Sequence, residues 1–537
     1  MATRPTYDQL YDGFRWNLPA RYNFGVDVCD KWAAADPGRP AILHRLPDRT
    51  LRRVSYGMLR DASNRLAGVL RAAGVGPGDR VAVLLPQSPE VVAAHAAAAK
   101  LGALSLPLAA LFGPDALDYR LADSAAKAIV LDAAGLAKLR TVRDRLPHLS
   151  AIVCVDGPDG EALGYHEALS RAAPDFEAVA SAPDDPAMMI YTSGTTGQPK
   201  GAVHGHRVVL GHLPGVTFAH HGLPRPDDLM WTPADWAWAG GLLNALLPSL
   251  SLGVPVVAWP HDRFVPEEAL AMVRELGVRN AFLPPTALRM LKAAHRPGTR
   301  YDLPLRSIMS AGETLGPDTY AWAQEAFGFP VNELFGQTEC NLVLGSSATL
   351  GVSRPGVIGR PVPGHRVAVI RPDGTECAPG EPGEIAVARP DPVMFLAYWN
   401  NPRATADKFV GDWMTTGDQA VREADGMVRF VGRQDDIITS SGYRIGPGEI
   451  EDCLMRHPAV AYAAAIGRPD ALRTEIVKAF LVLKSGFAPS DALTAEIQAF
   501  VRTRLSAHEY PREVAYVAAL PLTTSGKIIR RALREQG

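Results

Sequence analysis

Twice along this 537-residue chain, short apolar runs alternate with helical stretches in a rhythm that fits a layered α/β sheet. In the first passage "DRVAVLLPQ" reads as a strand, "PEVVAAHAAAAKLG" as a helix and "ALSLPL" as the next strand. "AKAIVLD", the helix "AGLAKLRTVRDRL" and "AIVCVD" follow. The pattern recurs at "VPVVAW", "PEEALAMVRELG", "NAFLP" and "LRSIMSAG". Alternation of this kind marks parallel sheets covered by helices on both faces. After about residue 355 the texture changes to short alternating strands dense in glycine and proline, which predicts a small β-barrel or meander. A third texture begins at "GRQDD" (432–436), where the strands "VAYAAAIG" and "VKAFLVLK" accompany the helix "LTAEIQAFVRTRLS". The expected fold class is therefore α/β. Residues 1–432 form a large N-terminal part of layered α/β subdomains plus a small β-barrel, and residues 433–537 form a small mobile α+β C-terminal domain. Almost no linker separates them, an arrangement that suits a hinge.

Charge narrows the partners. A net charge of −2 gives no general drive toward nucleic acid or an anionic membrane. The run 241–259 is uncharged, yet it carries Asn244, Pro248, Ser249, Ser251 and Pro255. It reads as a buried helix turning into a buried strand, and no integral membrane association is expected. Five widely spaced cysteines without a C-x-x-C pair suggest neither a zinc site nor a disulfide framework, and Cys340 reads as a passive thiol. The N-terminus has no apolar signal core. These features predict a reduced, cytoplasmic protein, monomeric or homodimeric.

The segment "MMIYTSGTTGQPKGAVHGHR" (188–207) brings the first chemistry. Glycines allow close backbone approach, hydroxyls and amides donate to oxyanions, and a lysine adds a point charge. The loop is phosphate-like without being a Walker P-loop, because Pro199 stands at the second glycine position and Gly201 follows Lys200. The neighbouring His204 and His206 read as packing residues.

Downstream come "SAGETL" (310–315), "LFGQTEC" (334–340), "TTGD" (415–418), "GRQDDIITSSGYRIGPGEIE" (432–451) and "PLTTSGKIIR" (521–530). In this order and spacing, from about residue 25 to the end, the motifs resemble those of the adenylate-forming superfamily of acyl-CoA synthetases, nonribosomal adenylation domains and luciferases. "SSGYRIGPGEIE" and "FGQTE" are most similar to the medium-chain acyl-CoA synthetase branch. The resemblance implies ATP, Mg²⁺ and coenzyme A as cofactor and co-substrates. It implies that Thr192, Ser193, Gly194, Thr195, Thr196, Gly197 and Lys200 hold the outer phosphates. Gly312 and Glu313 would border adenine, Phe335 would stack on it, and Gly336, Gln337 and Thr338 would continue that wall. Thr338 and Glu339 would contact the α-phosphate and the magnesium. Asp418 and Arg433 would hold the ribose, and Lys527 would neutralise the α-phosphate as the acyl-adenylate forms. Asp435 matches the family's hinge, Ser441 and Gly442 its pantetheine tunnel, and Arg444 its phosphate contact in the rotated state. A lysine acetyltransferase and deacetylase acting on Lys527 would be natural regulatory partners.

The acid is less defined. Acetate-specific relatives place tryptophan immediately before Gln-Thr-Glu, where this chain has Gly336, so room for a longer acid is expected. Trp236, Trp238 and Leu243 are expected to line that pocket, which points to a medium-chain, short branched or aromatic carboxylic acid. Two alternatives stand beside a coenzyme A ligase: a stand-alone adenylation enzyme loading a carrier protein, and a catalytically lapsed nucleotide-binding regulator.

Overall fold

The computed structural model describes residues 5–192, 199–261, 263–440, 443–470, 474–505, 509–523 and 526–536. Two large sheets carry the N-terminal part. One orders the strands Ala397–Tyr398, Gly201–Gly205, Pro186–Tyr191, Leu104–Pro107, Arg80–Leu84, Ala128–Leu131, Ala151–Cys154 and Leu163–Gly164. The other runs from Arg360–Pro361 through Cys340–Gly345, Asn332–Gln337, Ser307–Ala311, Asn280–Phe282, Met230–Trp231, Val256–Ala258 and Pro40–Arg45 to Leu51–Ser55. The interior strands pair in parallel and are buried along their length, as their continuous hydrophobic sequence requires. The helix Pro89–Lys100 has every residue buried, which explains its alanine-rich sequence: small side chains let it lie close against its neighbours.

The glycine-rich stretch forms an antiparallel half-barrel of Val367–Ile370, Pro382–Ala388, Trp413–Arg422, Phe409–Val410 and Val428–Arg433. The apolar run 241–259 is buried as predicted, a helix with a π-helical turn at Leu242–Leu246 followed by the strand Val256–Ala258. Among the described residues no helix is long and apolar enough to cross a membrane. All five cysteines are buried and free.

A separate small core, with Ile438, Ile450, Val477, Leu481 and Ile497 at its centre, organises the C-terminal part. Its sheet pairs Val460–Asp470 with Thr474–Leu483 and covers one face with the helix Asp491–Arg504. The two bodies touch closely near their junction. A Cβ on Gly446 would fall 1.8 Å from the Val431 carbonyl, so only glycine fits that crossing.

Candidate active site

Asp418 and Arg433 are Cα partners across the antiparallel strands Trp413–Arg422 and Val428–Arg433, and Arg433 Nη1 lies 3.3 Å from Asp418 Oδ1. Between them Gly417 takes φ +78°, and a Cβ there would lie 3.2 Å from Arg433 Nη2. The TTGD glycine therefore allows the irregularity in the strand Trp413–Arg422 beside the arginine. Gln337 Nε2 donates to the Thr416 carbonyl at 2.9 Å and to Asp418 Oδ2 at 3.2 Å, linking the half-barrel to the large sheet. Burial pushes the Asp418 carboxyl up to about 6, against the pull of Arg433, Lys408 and Lys527.

Glu339 follows at the turn of the hairpin formed by Asn332–Gln337 and Cys340–Gly345. It is buried, and its carboxylate accepts a hydrogen bond from the Tyr398 hydroxyl. Lys200 Nζ stands 5.1 Å from the centre of the Tyr398 ring, and Thr192 N donates to the Lys200 carbonyl at 2.9 Å. These two residues close the base of the phosphate-type loop next to Glu339. Ser193, Gly194, Thr195, Thr196 and Gly197 lie outside the described residues, as do Ser441 and Gly442. Arg444 is described only as part of the strand Tyr443–Ile445. Among the described residues no group of three His, Cys, Asp or Glu side chains could cage a metal. A lone buried carboxylate beside a phosphate-type loop nevertheless fits magnesium, which prefers one or two carboxylates plus substrate phosphates. Glu339 would hold it, and the ion would neutralise phosphate charge when bound.

The opposite wall carries Gly312 and Glu313. Gly312 turns with φ +100° directly after the strand Ser307–Ala311, and Glu313 accepts from Thr286 Oγ1 and pairs with Arg289. The C-terminal body closes on this wall. A Cβ on Gly526 would lie 3.7 Å from Thr286 Oγ1 and 4.0 Å from Glu313 Oε1. Lys527 is open to solvent at the cleft mouth but surrounded by both bodies. That enclosure lowers its pKa, Glu313, Asp418 and Glu339 draw it upward, and Arg433 adds to the lowering. Cations and carboxylates thus converge on one cleft from five separate sequence motifs.

Phe335 is half-buried and packs against two small clusters containing Val367 and Val343. Thr338 is half-buried between Gln337 and Glu339. Asp435 is exposed in the 3₁₀ turn Gln434–Asp436, where its carbonyl accepts from Arg534 Nη2 at 2.8 Å. Asp436 pairs with Arg530 and Arg534.

The residues expected at the acyl pocket divide. Trp236 and Leu243 share one buried cluster with Phe282, Leu334 and Leu342, whereas Trp238 packs in another, edge-on to Phe112 at 5.6 Å. Gly336 differs from expectation. A Cβ there would meet Asn341 Cα and Leu342 N at 2.5 Å and Asn341 Oδ1 at 2.6 Å. The space is taken by the neighbouring strand, so the missing side chain serves a close backbone approach and leaves no open room in that direction.

Sequence reasoning passed over Lys408, Glu384, Thr416 and Tyr398. Lys408 Nζ donates to Gln337 Oε1 at 3.0 Å, and Glu384 accepts from the Gly417 amide at 2.6 Å. No motif marks Lys408; only strand pairing brings it under the site. His204 and His206 are fully enclosed, and burial depresses their imidazoles to about 3 and about 4, so they stay neutral and pack.

Comparison with known proteins gives the same picture. The family model described as AMP-binding enzyme matches residues 29–399, and that of the AMP-binding enzyme C-terminal domain matches 449–527. The acetyl-coenzyme A synthetase of Bacillus subtilis (strain 168) is 34% identical, over 98% of this chain and 94% of its own length. The mitochondrial acyl-coenzyme A synthetase ACSM2B of Homo sapiens is also 34% identical, over 97% and 91% respectively. Among solved structures, the anthranilate CoA ligase AuaEII in complex with anthranoyl-AMP superposes with a TM-score of 0.87 at 29% identity, covering 97% of this chain and 98% of that one.

Proposed function

This chain belongs to the adenylate-forming superfamily of AMP-binding enzymes and is an AMP-forming acid–thiol ligase, and from that premise we propose its substrate and its division of labour. The acid is a medium-chain, short branched or aromatic one. Its carboxylate oxygen attacks the α-phosphorus of ATP, the bond to the β-phosphate bridge breaks, and pyrophosphate leaves. The coenzyme A thiolate then attacks the acyl carbon, and AMP leaves. Both steps develop charge on phosphate, so preorganised donors are the main catalytic resource.

The observation that carries this reading is the convergence of Lys527, Asp418, Gln337 and Glu339 on one cleft between the two bodies. Asp418 accepts from the ribose hydroxyls, Arg433 holds Asp418 and the ribose edge, and Lys527 meets the α-phosphate. This arrangement suits the first half-reaction. Rotation of residues 433–537 about Asp435 would carry Lys527 away and present Gly442 and Arg444 for the second. The solvent-open Lys527 side chain is accessible to a lysine acetyltransferase, which would silence the first step by removing its charge. For the acid, support comes from the apolar wall of Trp236, Leu243, Phe282 and Leu342. The test is pyrophosphate release over a panel of acids, with and without coenzyme A. Thioester formation with an acid of four or more carbons supports the reading; turnover confined to acetate sinks its substrate part.

A further inference from the structure

A buried pair of amides joins the two elements that flank the acyl wall. Asn244 sits on the π-helical turn Leu242–Leu246, a local widening that recurs at functional positions. Asn341 sits on the strand Cys340–Gly345, and its Nδ2 donates to Asn244 Oδ1 at 2.5 Å. The two residues are 2% and 7% exposed. Their neighbours in sequence, Leu243 and Leu342, belong to the same buried cluster as Trp236 and Phe282. Asn341 also occupies the space beside Gly336, with Oδ1 only 2.6 Å from where a Cβ would stand.

Each primary amide offers a carbonyl with two lone pairs and two N–H donors. One hydrogen bond between them leaves most of that capacity unused, and among the described residues neither side chain makes another. In the same cluster the Trp236 indole N–H is buried without a partner among the described residues. Leu342 is held at φ +56° although it is bulky and fully buried, so the backbone is strained to bring Asn341 to this place. A site made only for an alkyl chain gains nothing from two part-satisfied amides, because hydrocarbon leaves them unpaired.

We propose that the Asn244–Asn341 pair recognises a hydrogen-bonding substituent, so that the substrate is a carboxylic acid bearing a hydroxyl, amino or keto group on its carbon body. This rests on the ligase reading above, in which the acyl group lies against these elements. A substituent donor would meet an amide carbonyl and a substituent acceptor an amide N–H, which makes the pair a selector between acids of equal size.

The test reads binding without turnover. Non-hydrolysable acyl-sulfamoyl-adenosines are compared by calorimetry on the full chain, in pairs matched for carbon skeleton: 3-hydroxybutanoyl with butanoyl, 3-oxohexanoyl with hexanoyl, 4-hydroxybenzoyl and 2-aminobenzoyl with benzoyl. At least one substituted member should bind about tenfold tighter than its plain partner. Asn244→Leu should bring that ratio to within about twofold. Asn244→Asp, which keeps the size but trades donors for acceptors, should favour hydroxyl- and amino-bearing analogues over keto-bearing ones. The proposal is overturned if every plain analogue binds as tightly as its substituted partner, if no analogue binds, or if the ratio survives in folded Asn244→Leu. A separate pyrophosphate assay judges the ligase reading, since a chain without turnover still reports its acyl preference by calorimetry.

Discussion

Lys408 donates from Nζ to Gln337 Oε1 at 3.0 Å, and Gln337 in turn donates to Asp418. A half-buried ammonium thereby fixes the orientation of an amide that holds the Asp418 carboxylate. Burial lowers the lysine's pKa while Glu339 and Asp418 draw it back. Lys408→Met should lower kcat/KM for ATP about 10–100-fold, the range for lost supporting contacts, and leave KM for the acid unchanged. Lys408→Arg should recover part of the loss. An unchanged ATP dependence in Lys408→Met would remove the lysine from the nucleotide site.

Lys527 separates the two half-reactions. Lys527→Ala should reduce acyl-adenylate formation about 10²–10³-fold through the loss of one preorganised charge. Thioester formation from supplied acyl-adenylate should survive, because the proposed rotation would take Lys527 away from Glu313, Asp418 and Glu339, which it faces here. Equal loss of both steps would argue against rotation.

Asp418 sets an acidic limb. With its carboxyl held at about 6 by burial, it is protonated below that pH and poorly able to accept from ribose. The kcat/KM for ATP should fall about tenfold per pH unit on that side, and Asp418→Asn should have low activity without the limb. Stability moves the other way. The folded chain holds this proton more tightly than the unfolded one at 3.8, so the associated stability is complete below 3.8 and is lost as pH rises toward 6. A limb that persists in Asp418→Asn assigns it to another group.

Gly336→Trp, the obvious graft toward acetate, should not act as a simple pocket filler. Even Gly336→Ala places a Cβ 2.5 Å from the Asn341 and Leu342 backbone, and overpacking of this kind costs about 1–3 kcal/mol. A lowered Tm for the alanine variant, read by calorimetry, checks the geometry; an alanine variant as stable as the parent refutes it.

Asp435→Pro removes a backbone N–H and fixes φ near about −65° at the proposed pivot. Pyrophosphate release should continue while thioester formation drops. Normal turnover with coenzyme A would place the pivot elsewhere.

The layered sheets were legible because buried parallel strands must be apolar throughout, and the half-barrel because its turns demand glycine and proline. The meeting of Asp418 and Lys527 in one cleft was suggested only by resemblance, since they lie more than a hundred residues apart and no local pattern joins them. Lys408 was hidden because a lysine before a phenylalanine is unremarkable until Phe409–Val410 pairs with Met414 and Trp413. Gly336 misled for a related reason: a glycine in sequence does not say whether its empty side faces a ligand or another backbone. Here the facing strand answers, and it brings Asn341 with it.

The junction between the bodies has one last consequence. Arg433 is the final residue laddered to the half-barrel, through Asp418, and two and three residues later Asp435 and Asp436 are already gripped by Arg530 and Arg534 of the small body. Anchorage changes hands across Gln434, so a swing of the small body would be confined to a few backbone torsions. On the proposed rotation the small body would sweep a defined arc like a turnstile arm, and Lys527 would not wander through a cloud of positions. Its two ends of travel would exclude each other, and the chain would keep its two reactions in sequence by having only one arm to turn.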